Sequence, residues 1–370
     1  MTCPGRGDMA AAFTALFAGD VGFGEHFMHH PRAAPLQRKL GAEGRAASLS
    51  GLACLFDAAD VAVANLEAPL SDRPDPALAG RKPGLAWSQP EETAAALRDA
   101  GFTALSLAND HALDCGREGL AETRRRLARV GIRPFGAGPG PTLAGLPWLV
   151  PFETAGRART LAVFGAFEYR PVYDHAFRWY TNRGLAGVAP LSPLRLRRDI
   201  ARVRQRLPEP LVVAFPHWGE SYAPTSEAQR AAARQLVAAG ADIVIGHGSH
   251  VAQGFEMVGG RPVIYGLGNC AWNTPGRFGI EGVAAIGLVA LLSFGEIGPP
   301  LLRLVPILTD NAATGFRSRP LGEAAFARFA AAHRGGWATA RVGGAPCLER
   351  LVPPGEPAAR QAAASAFAPP

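Results

Sequence analysis

Seven side chains able to hold a metal ion or move a proton stand at the ends of stretches that read as buried strands. Asp20 follows residues 13–18, Glu67 follows 60–66, and Asp110 with His111 follows 102–107. His217 follows 211–215, and His247 with His250 follows 241–245. In an open α/β sheet, ligand sites form where loops converge at the carboxyl ends of strands. Two carboxylates, a third oxygen ligand and three imidazoles suit a borderline divalent ion such as Mn²⁺, Fe²⁺ or Zn²⁺. Ca²⁺ asks for oxygen alone, and no thiolate is placed to compete. Taken singly, each piece has a plain explanation. Gly19-Asp20 reads as a turn, Glu67 as a solvated strand end, Asn109-Asp110-His111 as a polar loop, and His217 beside Trp218 as a satisfied core histidine. The pair His247 and His250 is harder to explain, because two imidazoles three apart in a Gly-flanked loop seldom serve packing. Four of the nine histidines fall at such exits, and this joint placement argues for a metal centre.

The elements that must position these residues follow from pattern. The first strand, 13–18, runs into a Gly/His-rich loop that reaches Pro35. Ser88-Gln89-Pro90-Glu91 has the form of a capping box before a helix over 93–100, with Gly101 as its stop. Residues 117–130 read as a helix with Leu120, Leu127 and Val130 on one face. Ser192-Pro193 opens another, with Leu196, Ile200, Val203 and Leu207 as its apolar stripe. A third covers 225–239 and stops at Gly240. Segments 255–258 and 262–267 flank Gly259-Gly260 as a hairpin that leads to Gly268-Asn269. Helices alternating with strands predict an α/β fold with parallel strands, and the hairpin makes the sheets mixed. No repeat or linker divides the chain. The expected organisation is a flexible N-terminus over 1–12, one domain over 13–335, and a C-terminal extension over 336–370 that is largely disordered from about 353.

The order of motifs resembles a known family. The carriers are Gly19-Asp20-Val21, Asn65-Leu66-Glu67-Ala68-Pro69-Leu70, the run from Ser106 through Asn109-Asp110-His111 to Asp114-Cys115-Gly116, His217-Trp218-Gly219, Gly246-His247-Gly248-Ser249-His250-Val251 and Ile264-Tyr265-Gly266-Leu267-Gly268-Asn269. Together they are similar to CapA, the bacterial poly-γ-glutamate capsule proteins, a branch of the calcineurin-like metallophosphoesterases. The resemblance runs over about residues 13–334. It implies a four-layer sandwich, two mixed β-sheets flanked by helices, with one or two divalent ions (Mn, Fe or Zn) at one sheet edge. Glu67 would bridge the ions, with Asp110, His217 and His247 on one and Asp20 and His250 on the other. His111 would assist catalysis, with Asp20 counted beside it as catalytic. Three positions depart from the pattern. Asp110 stands where the family has Asn. Gly22 stands where the superfamily has His, which leaves that ion poor in ligands unless His26 or Asn109 reaches it. Glu220 comes one residue early.

The activity implied is metal-dependent hydrolysis, a metal-activated hydroxide attacking a phosphoester. The alternatives are an amide-directed enzyme acting on γ-glutamyl or related substrates, and a non-catalytic accessory protein of anionic-polymer biosynthesis. The aromatic run from Tyr169 to Tyr180, carrying Arg170 and Arg178, is the candidate for substrate recognition, against the plainer reading of a hydrophobic cap. Asn109, Trp218, Glu220 and Asn269 join those two arginines as candidate substrate contacts.

Composition limits the partners. Hydrophobic residues at 48% against 19% charged residues allow a large core and exclude a disordered polyelectrolyte. Net charge is +7, and all but two of the basic residues are arginine. The arginine-rich stretches, 195–206 and 124–129, lie on amphipathic helices with no interleaved aromatic residues, so nucleic acid is not expected. The substrate is expected to be a small molecule or an anionic polymer. Five scattered cysteines without a paired motif fit a reducing compartment. The apolar run 9–18 is too short for a membrane anchor, and the expected location is cytoplasmic.

Overall fold

The computed structural model describes residues 12–24, 27, 33–274, 276–333 and 335–353. The expected flexible N-terminus up to residue 11, the tail from 354 and His26 lie outside the described residues.

The strand Phe13–Gly22 is buried along its whole length, and its side chains divide between two cores. Phe13, Ala15 and Phe17 enter one, while Leu16 and Ala18 enter another. A strand covered on both faces reads as a continuous apolar run, which is what the sequence shows here. Val61–Leu66 pairs parallel with it, followed outward by Ala104–Ser106 and the edge strand Arg133–Phe135. On its other side Asn269–Trp272 pairs parallel and Ile286–Phe294 antiparallel. With Leu301–Leu308, Arg319–Pro320 and the hairpin Ala338–Val342/Ala345–Leu351, the sheet reaches ten strands. That hairpin carries the sheet past the boundary expected at residue 335.

A second, six-stranded mixed sheet runs in the order Phe255–Val258, Arg261–Ile264, Ile243–Ile245, Pro210–His217, Arg157–Phe167, Trp148–Thr154. Alternation again splits it. Leu211, Val213 and Phe215 join Phe13, Ala15 and Phe17 in the core between the sheets. Val212 and Ala214 face outward onto Leu196, Ile200, Val203 and Leu236 of the helices Pro193–Arg206 and Glu227–Ala238. On the far side, Leu97, Leu120 and Leu127 of Pro90–Asp99 and Gly116–Arg129 cover Ala62, Ala64 and Leu105. The result is the implied four-layer arrangement: helices, mixed sheet, mixed sheet, helices. Among the described residues, no helix is long and apolar enough to cross a membrane.

Several local expectations hold and two need correcting. Ser192 caps its helix by accepting from the Arg195 N–H at 3.3 Å. Gly259 and Gly260 turn the hairpin with φ of 54° and 74°, a pair of conformations that glycine adopts without steric cost. Ser88, by contrast, caps nothing. Its N–H donates to the Pro69 carbonyl at 2.8 Å and its carbonyl accepts from Ser71 at 3.1 Å, so it is drawn into a bridge and Gln89 precedes the helix without a side-chain cap. The first strand also does not end at Ala18. It continues to Gly22 through a break in register at Asp20, a bulge that re-aims one side chain without ending the ladder.

Gly19 makes that bulge possible. A Cβ there would sit 1.8 Å from the Gly268 carbonyl oxygen, a clash with main chain that no rotamer relieves. Gly19→Ala is expected to cost at least about 1–3 kcal/mol in urea unfolding. Gly41→Ala, in a helix interior with nothing within 4 Å, is expected to gain about 0.5–1 kcal/mol. Equal stabilities for the two variants would refute the role given to Gly19.

Candidate metal centre

The bulge turns Asp20 inward, where it is fully buried. Its Oδ1 accepts from Asn65 Nδ2 at 2.9 Å and its Oδ2 from the Gly248 N–H at 3.1 Å. Asn65, the next strand's penultimate residue, in turn accepts from Asn109 Nδ2 at 2.9 Å. Asn109 also donates to the Leu66 carbonyl at 2.8 Å and accepts from the His111 N–H at 3.0 Å. Three adjacent strand ends are thus tied by a chain of side-chain amides. From the other sheet, His217 ends its strand and bridges to His247. His250 sits at φ 59°, a left-handed conformation that costs a non-glycine residue strain and persists only where the surroundings enforce it. Here the Tyr222 N–H donates to the Ser249 carbonyl at 2.7 Å, and Asn269 Oδ1 meets His250 Nδ1 at 2.9 Å.

Three overlapping triads result: Asp20, His217 and His247; Asp20, Glu67 and His250; Glu67, Asp110 and His217. In each, one ligand atom per residue lies within 4.8 Å of the others. His217 Nε2 is 3.0 Å from Asp110 Oδ1 and 3.6 Å from Glu67 Oε1, and His250 Nε2 is 3.8 Å from Glu67 Oε1. Glu67 Oε2 and His247 Nε2 are buried without a hydrogen-bond partner. A buried acceptor left unpaired is costly. Two of them on residues of one cluster of oxygen and nitrogen ligands fit a divalent cation. All six ligand positions read from the sequence therefore converge. Their grouping differs: His247 clusters with Asp20 rather than with Asp110, and Asp20 and His217 are each shared by two triads.

Charge within the cluster is set by burial and by neighbours. Burial, then the charges of Asp20 and Asp110, raise the Glu67 carboxyl well above its ordinary range. Burial also opposes ionisation of Asp20, yet the hydrogen bond with His247 and the charges of His250 and His217 hold it down to about 2. Asp110 stays well below its usual range because the charge of His111 and the contact with His217 overcome burial. Burial pushes His247 down to about 4 and lowers His250 as well. A neutral His247 beside an ionised Asp20 is a pair of protonation states that suits metal ligation.

His111 stands at the rim. Its Nδ1 is 2.6 Å from Asp114 Oδ2 and its Nε2 is 4.0 Å from Asp110 Oδ2. Asp114, fully buried, is neutralised by Lys82 at 2.8 Å and takes the Ala86 N–H at 2.7 Å. The sequence reading missed both residues. Asp114 lay in view within the His111 motif, and Lys82 is one of two lysines in an arginine-rich chain.

The other candidate contacts divide. In the aromatic run, Tyr173 donates to Asp110 Oδ2 at 3.3 Å and Trp179 donates to the Asn109 carbonyl at 3.0 Å. This part is a wall of the site. Arg170 is already paired with Glu168 at 3.2 Å and Glu220 at 3.3 Å, while Arg178 is exposed and its carbonyl accepts from Arg117. Trp218 is buried against Tyr265, whose carbonyl takes its indole N–H at 2.7 Å, so it packs the helix-side core and offers a substrate no surface. Asn269 orients His250. Gly22 leaves room for Trp272, whose ring would lie 2.4 Å from a Cβ there. That indole stands near both His250 (5.4 Å) and His111 (6.3 Å).

Comparison with known proteins shows the chain's family. Residues 14–274 match the family model described as bacterial capsule synthesis protein PGA_cap. The chain is 26% identical to the PGA biosynthesis protein CapA of Bacillus subtilis over 69% of this chain and 62% of that one. It is 32% identical to the capsule biosynthesis protein CapA of Bacillus anthracis over 49% and 43%. A probable polyglutamine synthesis accessory protein of Mycobacterium tuberculosis is 32% identical over 60% and 58%. The chain therefore spans between about two fifths and just over three fifths of these relatives' lengths.

The His247 imidazole gives the metal-free protein a pH signature. An unfolded chain takes up its proton near 6.5, whereas the folded protein refuses it until about 4. Stability from this group is therefore complete above 6.5 and lost as the pH falls toward 4, by up to about 3 kcal/mol. Urea unfolding of chelator-treated wild type and His247→Gln at pH 7 and pH 4.5 should show the larger decline in wild type. Glu67 acts with the opposite sign in both proteins and drops out of the difference. Equal declines would refute a buried neutral His247.

Proposed function

The chain belongs to the bacterial capsule synthesis protein PGA_cap family, and on that premise we propose that it is a metal-dependent hydrolase acting on a phosphoester. The observation that carries this reading is the convergence of Asp20, Glu67, Asp110, His217, His247 and His250 in three overlapping triads, with buried Glu67 Oε2 and His247 Nε2 lacking any other partner. Asp20, Glu67, His217, His247 and His250 would hold one or two ions, with Asp110 at the open side. A divalent ion so held acidifies water and withdraws charge from a phosphoryl or carbonyl oxygen.

The chain's own residues supply the proton handling. A carboxylate can only accept, so the contact with Asp114 places the His111 hydrogen on Nδ1 and leaves Nε2 facing Asp110. There Nε2 can hold a proton and release it to a leaving oxygen. Lys82 holds Asp114 in place. Tyr173 and Trp179 restrict access from one side and shield the ligands from bulk water.

A second reading has its own support. The relatives' names refer to PGA biosynthesis and to a polyglutamine synthesis accessory protein, which points to an amide substrate or to an accessory role without catalysis. The experiment separates all three. Purified protein is stripped with chelator, restored with Mn²⁺, and assayed on a generic aryl phosphate and on γ-glutamyl oligomers. The expected result is aryl phosphate hydrolysis that returns with Mn²⁺, is lost with the metal in His247→Ala, and falls about 100-fold or more in metal-replete His111→Ala. Cleavage of the oligomers alone would favour the amide enzyme, and metal uptake with neither activity would favour the accessory role. No metal uptake, or equal activity in wild type and His247→Ala, would overturn the hydrolase reading.

A further inference from the structure

Among the described residues, six other than glycine hold a positive φ, and two of these meet beside the metal centre: Tyr222 at 62° and His250 at 59°. The left-handed conformation is unfavourable for a bulky side chain and is kept where the surroundings enforce it. Around Tyr222 the enforcement is visible. Its N–H donates to the Ser249 carbonyl at 2.7 Å. The Ser221 carbonyl before it accepts from Arg277 Nη2 at 3.5 Å, and the Ala223 carbonyl after it accepts from Gln253 Nε2 at 2.9 Å. Glycine would hold the same turn without strain. A tyrosine held there at a cost points to a task for its side chain.

That side chain is turned inward, leaving Tyr222 6% exposed, whereas Glu220, two positions earlier, is exposed and pairs with Arg170 at 3.3 Å. The ring centroids of Tyr222 and Trp272 each lie 5.4 Å from that of His250. Phe278 meets the Tyr222 ring edge-on at 5.3 Å, and the Arg277 guanidinium lies over it at 4.9 Å. The ring that packs on His250 is therefore itself held in place.

The polar end has a direction. Burial raises the phenol's proton affinity, the Arg277 N–H and charge lower it, the Glu67 charge raises it, and a hydrogen bond with Asn269 lowers it. A hydrogen bond that lowers a phenol's proton affinity is donated to it, so the Asn269 amide nitrogen faces the phenol oxygen. The Asn269 carbonyl oxygen is then the atom that meets His250 Nδ1 at 2.9 Å, and it can only accept. This places the His250 hydrogen on Nδ1 and leaves the Nε2 lone pair on the side of Glu67 Oε1, 3.8 Å away. We propose that Tyr222 is a positioning residue of the metal centre: its ring holds the His250 imidazole, and its phenol fixes the Asn269 amide so that His250 presents Nε2 to the ion. The proposal rests on the metal-centre reading and is independent of which bond, if any, is broken there.

The test titrates the chelator-treated full chain with Mn²⁺ and follows the free ion by electron paramagnetic resonance. Nitrogen NMR of labelled histidines in the metal-free protein reports the His250 tautomer, its signals identified by their loss in His250→Gln. Tyr222→Phe keeps the ring and should bind Mn²⁺ about tenfold more weakly, with His250 passing from one Nδ1–H tautomer to a mixture. Tyr222→Gly relieves the turn but removes the ring, and should bind more weakly still. Ala155→Gly relieves an exposed positive-φ position outside the cluster and should leave the affinity unchanged. Wild-type affinity in Tyr222→Gly would show that the residue serves the turn alone and overturn the proposal. So would Tyr222→Phe with unchanged affinity and an unchanged His250 tautomer. The expected losses in a protein that hydrolyses no phosphoester would uphold the proposal and count against the hydrolase reading alone, whereas no Mn²⁺ uptake by wild type would overturn both.

Discussion

A carboxylate placed with no exposure to solvent, Asp20, is the constraint to which the rest of the structure responds. Removing a carboxylate from water is expensive unless hydrogen bonds and opposite charge replace the lost hydration. The bulge at Gly19-Asp20 sets the side chain among the ends of both sheets. The Asn65 amide, the Gly248 N–H and three imidazoles then supply what water no longer does. Asn65 and His217 stand at the ends of two strands, and His247, Gly248 and His250 share the loop after a third, so the cost of burying one group is spread over three strand ends from both sheets.

That arrangement explains why Glu67 and Asp20 behave oppositely although both are buried carboxylates. Asp20 has donors and imidazoles around it and stays ionised. Burial first, and then the charges of Asp20 and Asp110 that it faces, push the proton affinity of Glu67 up. Such separation of two neighbouring carboxylates is a mark of functional sites rather than of packing. A divalent cation would remove the conflict, since Glu67 lies between two of the triads.

Charge is handled differently over the rest of the surface. The helix Pro193–Arg206 pairs its arginines where it can, Arg202 with Asp199 at 2.8 Å and Arg204 with Asp242 at 3.1 Å, and so presents an ordinary solvated face. The helix Gly116–Arg129 pairs Arg126 and leaves Arg117, Arg124 and Arg125 over a concave, partly buried surface. The same composition thus yields a paired face in one place and a less paired, partly buried one in another, and the difference lies in what packs beside each helix.

Which residue types stand at which strand ends is written locally in the chain. An apolar run followed by Asp, Glu or His is local information, and the six residues that converge in the cluster stood out from it, as did the helix capped by Ser192 and the Gly259-Gly260 hairpin. Local pattern failed at Ser88, which fits a capping box but pairs with Pro69 and Ser71, and at Ala18, where a bulge resembles a strand end. Which residues share a site is settled by long-range packing instead. His247 falls beside Asp20, and Lys82 comes to Asp114 from 32 positions away in the sequence. Trp272 fills the space left by Gly22, and Trp218 turns into the core. Those outcomes depend on which strands lie side by side and which faces of the two sheets meet. That choice is made by the burial of the whole apolar surface, and no short stretch of sequence carries it.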